Sequence, residues 1–166
     1  MATSFEYPIN RFFDRIEEDR EFFQYYNLSD AAALQLAQSR ATNYLHNAID
    51  KMMIDGMPEV DFTDYDEAAA EFNFDLTSRE IFILASLMYE FYLEKDIAKL
   101  KTYNVNYTST DLKVFDPSNA RSTFQELYDG VLARNEHLLD QYRNTNRLTG
   151  AFKTINYAAY NDEEDG

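Results

Sequence analysis

Thirty carboxylates, two histidines and no cysteine are the titratable stock from which a catalytic site in this 166-residue chain would be built. The missing thiol excludes disulfides, thiolate zinc sites and cysteine nucleophiles. His46 and His137 fall on different predicted helices, so each reads as a half-buried or surface histidine and not as a base paired with a serine or a metal. The densest acidic stretch, DFTDYDE, places Asp61, Asp64 and Asp66 close together in the manner of a cation loop. A calcium loop of the EF-hand kind needs oxygen ligands at alternate positions, a glycine for the sharp turn and a bidentate glutamate at the end. Alternation from Asp61 falls on Thr63 and Tyr65 and no glycine follows, so the segment is expected to be a capped, solvated loop. There is no glycine-rich phosphate loop, no GxSxG and no HExxH. The expectation is a protein without catalytic residues, cofactor or metal.

The charge is strongly one-sided, with a formal net of −15. Residues 55–76 carry Asp55, Glu59, Asp61, Asp64, Asp66, Glu67, Glu71 and Asp75 with no lysine or arginine, and residues 1–30 carry three arginines against seven acids. Such a chain repels phosphate backbones, which argues against nucleic-acid binding through a basic footprint. A solvated acidic loop is the simplest reading. An alternative is an acidic inhibitor that imitates DNA and fills the groove of a nucleic-acid enzyme, although a mimic should spread its carboxylates where this chain concentrates them. A third class, a metal-dependent hydrolase, would require the Asp61–Asp66 cluster to gather around an ion. The N-terminal MATSFEYPINRFFDRIEEDRE is charged every few residues and holds no apolar run long enough for a signal peptide or a membrane span, so a soluble protein is expected.

The elements that would position these residues are helical. Four glycines and three prolines are few for a chain of turns and strands, and thirteen Phe with thirteen Tyr supply a core. The first helix follows Tyr7-Pro8 and carries Ile9, Phe12, Phe13 and Ile16 at helical spacing, ahead of the aromatic cluster Phe22, Phe23, Tyr25 and Tyr26. The second begins at Ser29 as N-cap and runs to about Met53, with Leu34, Ala37, Ala41, Tyr44, Leu45, Ala48 and Met52 as its buried stripe. The acidic connection, about 55–76, is long for a compact domain, and the alanines 68–70 suggest a short turn of helix within it. In DLTSRE, Thr77 and Glu80 form a capping box that opens the third helix. Ile81, Leu84, Ala85, Leu87, Met88, Phe91 and Tyr92 cover much of its circumference, which places it centrally, and it should end near Lys101 because Asn104, Val105 and Asn106 are poor helix residues. The fourth runs from about Asn119 to Asn144 with Phe124, Leu127, Tyr128, Val131, Leu132, Leu138 and Tyr142 facing the core.

After that helix the pattern breaks. Phe152, Ile155, Tyr157 and Tyr160 follow no helical period and have no evident strand partner, so they are candidates for binding another chain, since tyrosine tolerates a half-wet interface. Arg143, Arg147 and Lys153 beside them are candidates for pairing with an acidic partner surface. The expected fold is therefore all-α: a small domain of about four helices over residues 1–144, with an extended C-terminal arm over residues 145–166. Removing residues 146–166 should leave the helical domain folded.

Taken together, IEEDREFFQYYNLS, DFTDYDEAAAEFNFDLTSREIFILASLMYEFYLEKDIAKLK, DLKVFDPSNARSTF and the closing NRLTG, in this order from Phe12 to Tyr160, resemble the head–tail connector (neck adaptor) family of tailed bacteriophages. The resemblance implies a structural virion protein, made in the host bacterial cytoplasm and located in the neck. Copies would form a ring beneath the portal protein, typically a dodecameric one, lengthening the DNA channel and presenting a surface to the next neck or tail component. Encapsidated DNA would pass without specific binding, no membrane would be involved, and the C-terminal arm would reach portal subunits or neighbouring copies. On that reading another chain buries the arm, as an added strand through Phe152–Tyr157.

Overall fold

The structure, a computed structural model, describes residues 2–23, 28–106 and 117–154. In chain order it comprises β1 (Thr3–Ser4), α1 (Glu6–Ile16), α2 (Arg20–Phe23), α3 (Asp30–Asp55), β2 (Tyr65–Asp66), β3 (Glu71–Phe72), α4 (Ser78–Asn106) and α5 (Pro117–Arg143). Most of the described residues are helical and the strands are two residues each, so the all-α expectation holds.

The helix α4 is central, packed against α1, α3 and α5. The run from Ile83 to Met88 is buried, as a helix covered on several sides requires. Its start is the expected capping box: the Thr77 N–H donates to Glu80 Oε2 at 2.7 Å and the Glu80 N–H to Thr77 Oγ1 at 3.2 Å. Its end differs from expectation, because the helix continues past Lys101 to Asn106. Weak propensity at Asn104–Asn106 is a small bias, and a helix already propagating extends through it.

The helix α3 starts where expected, with Ser29 in extended geometry and its Oγ accepting from the Ala32 N–H at 3.4 Å. Its buried stripe is shifted. Leu34 is 52% exposed and Ala33 takes the inward position, in line with Ala37, Ala41, Tyr44, Leu45, Ala48 and Met52. One residue is a 100° step around a helix, and the small side chains are the ones that let α3 lie close to its neighbours. At its end Gly56 caps the helix by donating to Met52 O at 3.0 Å, and a Cβ there would stand 2.6 Å from that same oxygen. The helix α5 opens at Pro117, the favoured first position. Leu139 and Tyr142 are its most buried apolar residues, whereas Leu127, expected inside, is 46% exposed.

The acidic connection is not an open loop. Strands β2 and β3 form a hairpin whose second strand, β3, also pairs with β1, giving the order β1-β3-β2 with β3 central, Thr3 opposite Phe72 on one side and Tyr65 opposite Phe72 on the other. The alanines 68–70 make the hairpin turn and no helix: Asp66 Oδ1 accepts from the Ala68 and Ala69 N–H groups at 2.8 and 3.0 Å, and Ala70 takes a φ of 53°. Phe62 and Phe72 are fully buried beneath it. A network of edge-on rings joins them to Phe5 and Phe74, and another joins Phe12, Phe22, Tyr44 and Tyr92. Burying a ring of this size contributes about 1.5–3 kcal/mol each over leaving it exposed.

Candidate partner-binding surface at the root of the arm

The acidic and histidine side chains singled out for chemistry are dispersed and locally engaged. Asp61 Oδ1 accepts from the Thr63 N–H at 2.8 Å and its hydroxyl at 2.5 Å, and these bonds hold the Asp61 carboxyl below the usual carboxylate range. Asp64 accepts from Asn73 Nδ2 at 2.7 Å, and Asp66 caps the hairpin turn. The three carboxylates thus brace the connection separately, and among the described residues no group of three His, Asp or Glu side chains is placed to hold a metal. His46 is half-buried, stacked on Tyr65 with its Nε2 3.1 Å from Glu67 Oε2. His137 is exposed on α5, 2.9 Å from Gln141 Nε2.

Just after α5, over the residues described, the chain is more ordered than an extended arm. Residues 144–153 form a small hairpin in which Thr145 pairs antiparallel with Phe152. The Asn146 N–H donates to Ala151 O at 2.7 Å and the Lys153 N–H to Asn144 O at 2.9 Å. Two residues of NRLTG explain the turn. Asn146 Oδ1 accepts from the Leu148 and Thr149 N–H groups at 3.0 and 2.9 Å, and Gly150 adopts a φ of 69°, where a side chain would be strained.

This hairpin is fastened to the helical body at two points. Arg147 Nε donates to Glu80 Oε1 at 2.6 Å and its Nη2 to Glu80 Oε2 at 3.1 Å, with a further bond to the Asp75 carbonyl. The guanidinium also lies over the Phe74 ring, 5.5 Å from its centroid. Glu80 is completely buried, and the Tyr142 hydroxyl donates to its Oε1 at 2.6 Å. The bonds to Glu80 raise Arg147 above its usual value; burial and the same carboxylate push the Tyr142 phenol well above the ordinary tyrosine range. Beside them Arg79 Nη1 donates to Thr145 Oγ1 at 2.6 Å. The second fastening is Lys153 to Glu59 at 3.1 Å, an exposed pair of small energetic weight.

The sequence-chosen site residues are therefore distributed as follows. Arg147 is bonded inside the protein, and Lys153 ties the hairpin down. Arg143 is exposed and meets Asp140 in an i,i+3 pair at 2.7 Å. Phe152 is 77% exposed despite its backbone pairing. Ile155, Tyr157 and Tyr160 lie outside the described residues, as do Tyr25, Tyr26 and the segment 107–116. Because Arg147 and Lys153 belong to the folded unit, a truncation that isolates the arm belongs after Thr154 and not before Asn146.

Sequence reasoning missed three exposed apolar side chains at this end of the molecule: Leu148, 78% exposed on the hairpin, and Ile54 and Met57, 70% and 60% exposed where α3 ends. Ile54, Met57, Leu139, Asp140 and Arg143 line a groove of about 370 Å³ between α3 and α5. The signal for Leu148 was present in the turn signature NRLTG, which puts it at an exposed tip. For Met57, the signal was its place between Gly56 and Pro58. Apolar side chains rimmed by charge in this way suit docking better than chemistry. Among the described residues no helix is long and apolar enough to cross a membrane. In comparison with known proteins, no family model, no curated protein and no solved structure matches the chain.

Proposed function

We propose that this protein is a non-enzymatic assembly component, the head–tail adaptor of a tailed phage neck. It works as a ring of copies beneath the portal protein that extends the DNA channel and receives the next neck or tail component. The observation that carries the reading is the hairpin at residues 144–153. It is bonded to the body through Arg147, yet it holds Leu148 and Phe152 out in solvent. A fixed mount with exposed apolar side chains lowers the ordering cost of docking on another chain. The segment beyond Thr154, with Ile155, Tyr157 and Tyr160, leaves from that mount. Encapsidated DNA, repelled by a chain of net charge −15, would slide past without adhering.

Light scattering of the protein alone and mixed with portal from the same source tests this. A discrete ring on portal is expected, together with its loss when residues 155–166 are removed from a protein that keeps its helical circular dichroism. A full-length protein that ignores portal overturns the reading. The acidic DNA-mimic alternative requires competition with duplex DNA for a DNA-binding enzyme at low salt.

A further inference from the structure

Against the acidic background, one face of the molecule is locally basic. Arg11 and Arg15 on α1 and Arg134 on α5 converge on the ring of Phe82 on α4, with guanidinium carbons 5.3, 5.0 and 5.7 Å from its centroid. Three elements contribute, so the convergence is a product of the fold and not of local sequence. Among the described residues none of the three guanidiniums is paired with a carboxylate. In a chain with thirty acids and fifteen basic residues, three cations left together without a counterion among the described residues are unusual company. Cation–π attraction to one ring offsets part of their mutual repulsion. The remainder is visible at Arg15, which burial, Arg134 and Arg11 hold below the usual arginine value. An anion brought to this face would relieve the repulsion and gain bidentate partners.

The complementary surface is on the same chain, at a different place. The hairpin of β2 and β3 presents Asp64, Asp66 and Glu67 to solvent, with Glu71 half-buried beside them, in a stretch without a single cation. It packs over α3, where His46 stacks on Tyr65, whereas the arginine face belongs to α1, α4 and α5. Two unlike, complementary patches at separate positions on one chain define a head-to-tail contact, which closes into a ring when the rotation between copies allows it.

We propose that the Arg11–Arg15–Arg134 face around Phe82 is the receptor for the acidic β2–β3 hairpin of a second copy of this chain. This rests on the ring reading above and supplies its subunit contact, separate from the surface at the root of the arm that meets portal. A short acidic hairpin fits better than a nucleic acid, because three arginines beside one ring are a compact site and the rest of the chain repels a long polyanion. Being charge-mediated, the contact should weaken steeply as salt rises.

A charge-swap test decides it. Arg11 and Arg134 are exposed, so R11E/R134E should fold with wild-type circular dichroism, and the conservative R11K/R134K controls for shape. On the other surface, E67K/E71K reverses the hairpin. Light scattering with portal at low salt should show ring formation by the wild type and by R11K/R134K. Each reversed variant alone should associate about a hundredfold more weakly or worse. A chain carrying all four reversals should form the ring again. A ring formed normally by R11E/R134E, or no recovery in the fourfold variant, overturns the contact while leaving the ring reading standing. A wild type that never associates overturns the ring and the contact together. Tighter binding of a duplex oligonucleotide than of a second copy, lost in R11K/R134K or R11E/R134E, overturns the choice of occupant.

Discussion

Glu80 and Glu90 lie on the same face-crowded helix, both buried, and they are neutralised from different directions. Glu80 is met by its own helix start, by the Tyr142 hydroxyl and by Arg147 of the arm hairpin. Glu90 is met midway along the bundle by Lys51 of α3 at 2.6 Å and by Asn135 of α5, whose Nδ2 donates to Oε2 at 2.8 Å. The Glu90 cluster ties together helices whose apolar faces already hold them. The Glu80 cluster ties on a short hairpin with almost no apolar burial of its own. A buried ion pair is weak evidence of net stability, and its loss from one side is costly. The lesson is that a similar device does two jobs, fixing register in the bundle and mounting the arm at its edge.

The largest effect expected from breaking this comparison is at Glu80. Glu80→Ala takes the carboxylate away from the Arg147 guanidinium, the Tyr142 hydroxyl and the Thr77 N–H, and should cost about 5 kcal/mol in urea unfolding. Glu90→Ala should cost less, about 3 kcal/mol, because the Lys51 side chain is still 17% exposed and can swing its ammonium to water. Equal losses would show that the two clusters do the same work.

Arg147→Ala should cost about 2 kcal/mol, since Tyr142 and Thr77 continue to donate to Glu80. Its distinguishing mark is local. Amide exchange at residues 145–153 should speed up while the α3 amides keep their protection, and Lys51→Ala should leave the hairpin protected. Unchanged exchange in the hairpin of Arg147→Ala would contradict the mount.

Alkaline pH sharpens the same contrast, because Tyr142 belongs to the Glu80 cluster alone. A phenol whose folded value is raised keeps its proton after the unfolded chain has lost it. Its contribution to stability is therefore whole below about pH 10 and declines as pH climbs from there towards the folded value, by about 1.4 kcal/mol per pH unit. Tyr142→Phe should flatten part of that decline, read from urea midpoints between neutral pH and mild alkali. Tyr92, pushed up by burial and by its bond to Asp19, should account for a further part. The smallest effect on stability is expected from Leu148→Ser or Phe152→Ser, under about 0.5 kcal/mol, because both side chains are already in water. Under the proposed function these two should nonetheless weaken capture of portal in light scattering.

What could be read in the sequence was local. Ser29 and the Thr77–Glu80 box announce helix starts because their partners are three residues away. The crowding of apolar residues on α4 announced a central helix for the same reason. The acidic connection was read as a capped, solvated loop without strands because its pairing is with Thr3 and Ser4, some seventy positions earlier, and because no short window reveals the burial of its phenylalanines. Leu34 was placed inward because alanine and leucine compete for a stripe, and only packing decides which of two neighbouring faces wins. At the arm, the basic residues were recognised as a group, but nothing in their spacing separates Arg147, bonded to a carboxylate in the core, from Arg143, left at the surface. The arginine face around Phe82 was equally illegible, since its three members come from two distant helices and gather on a third.

The packing of α1 against helices that come much later in the chain has a consequence during synthesis. Ile9, Phe12 and Ile16 form the buried side of α1, and Phe12 meets Tyr44 of α3 and Tyr92 of α4. On a ribosome adding about 5–20 residues per second, the roughly eighty residues between Phe12 and Tyr92 take about 4–16 s to appear. Throughout that interval α1 has emerged without the helix that covers most of it. The nascent chain thus carries a sticky, aromatic helix with its covering partner missing for the whole of that interval. Its safe delivery depends on a holding factor at the exit tunnel, or on α3 arriving soon enough to shelter Phe12 until α4 completes the bundle.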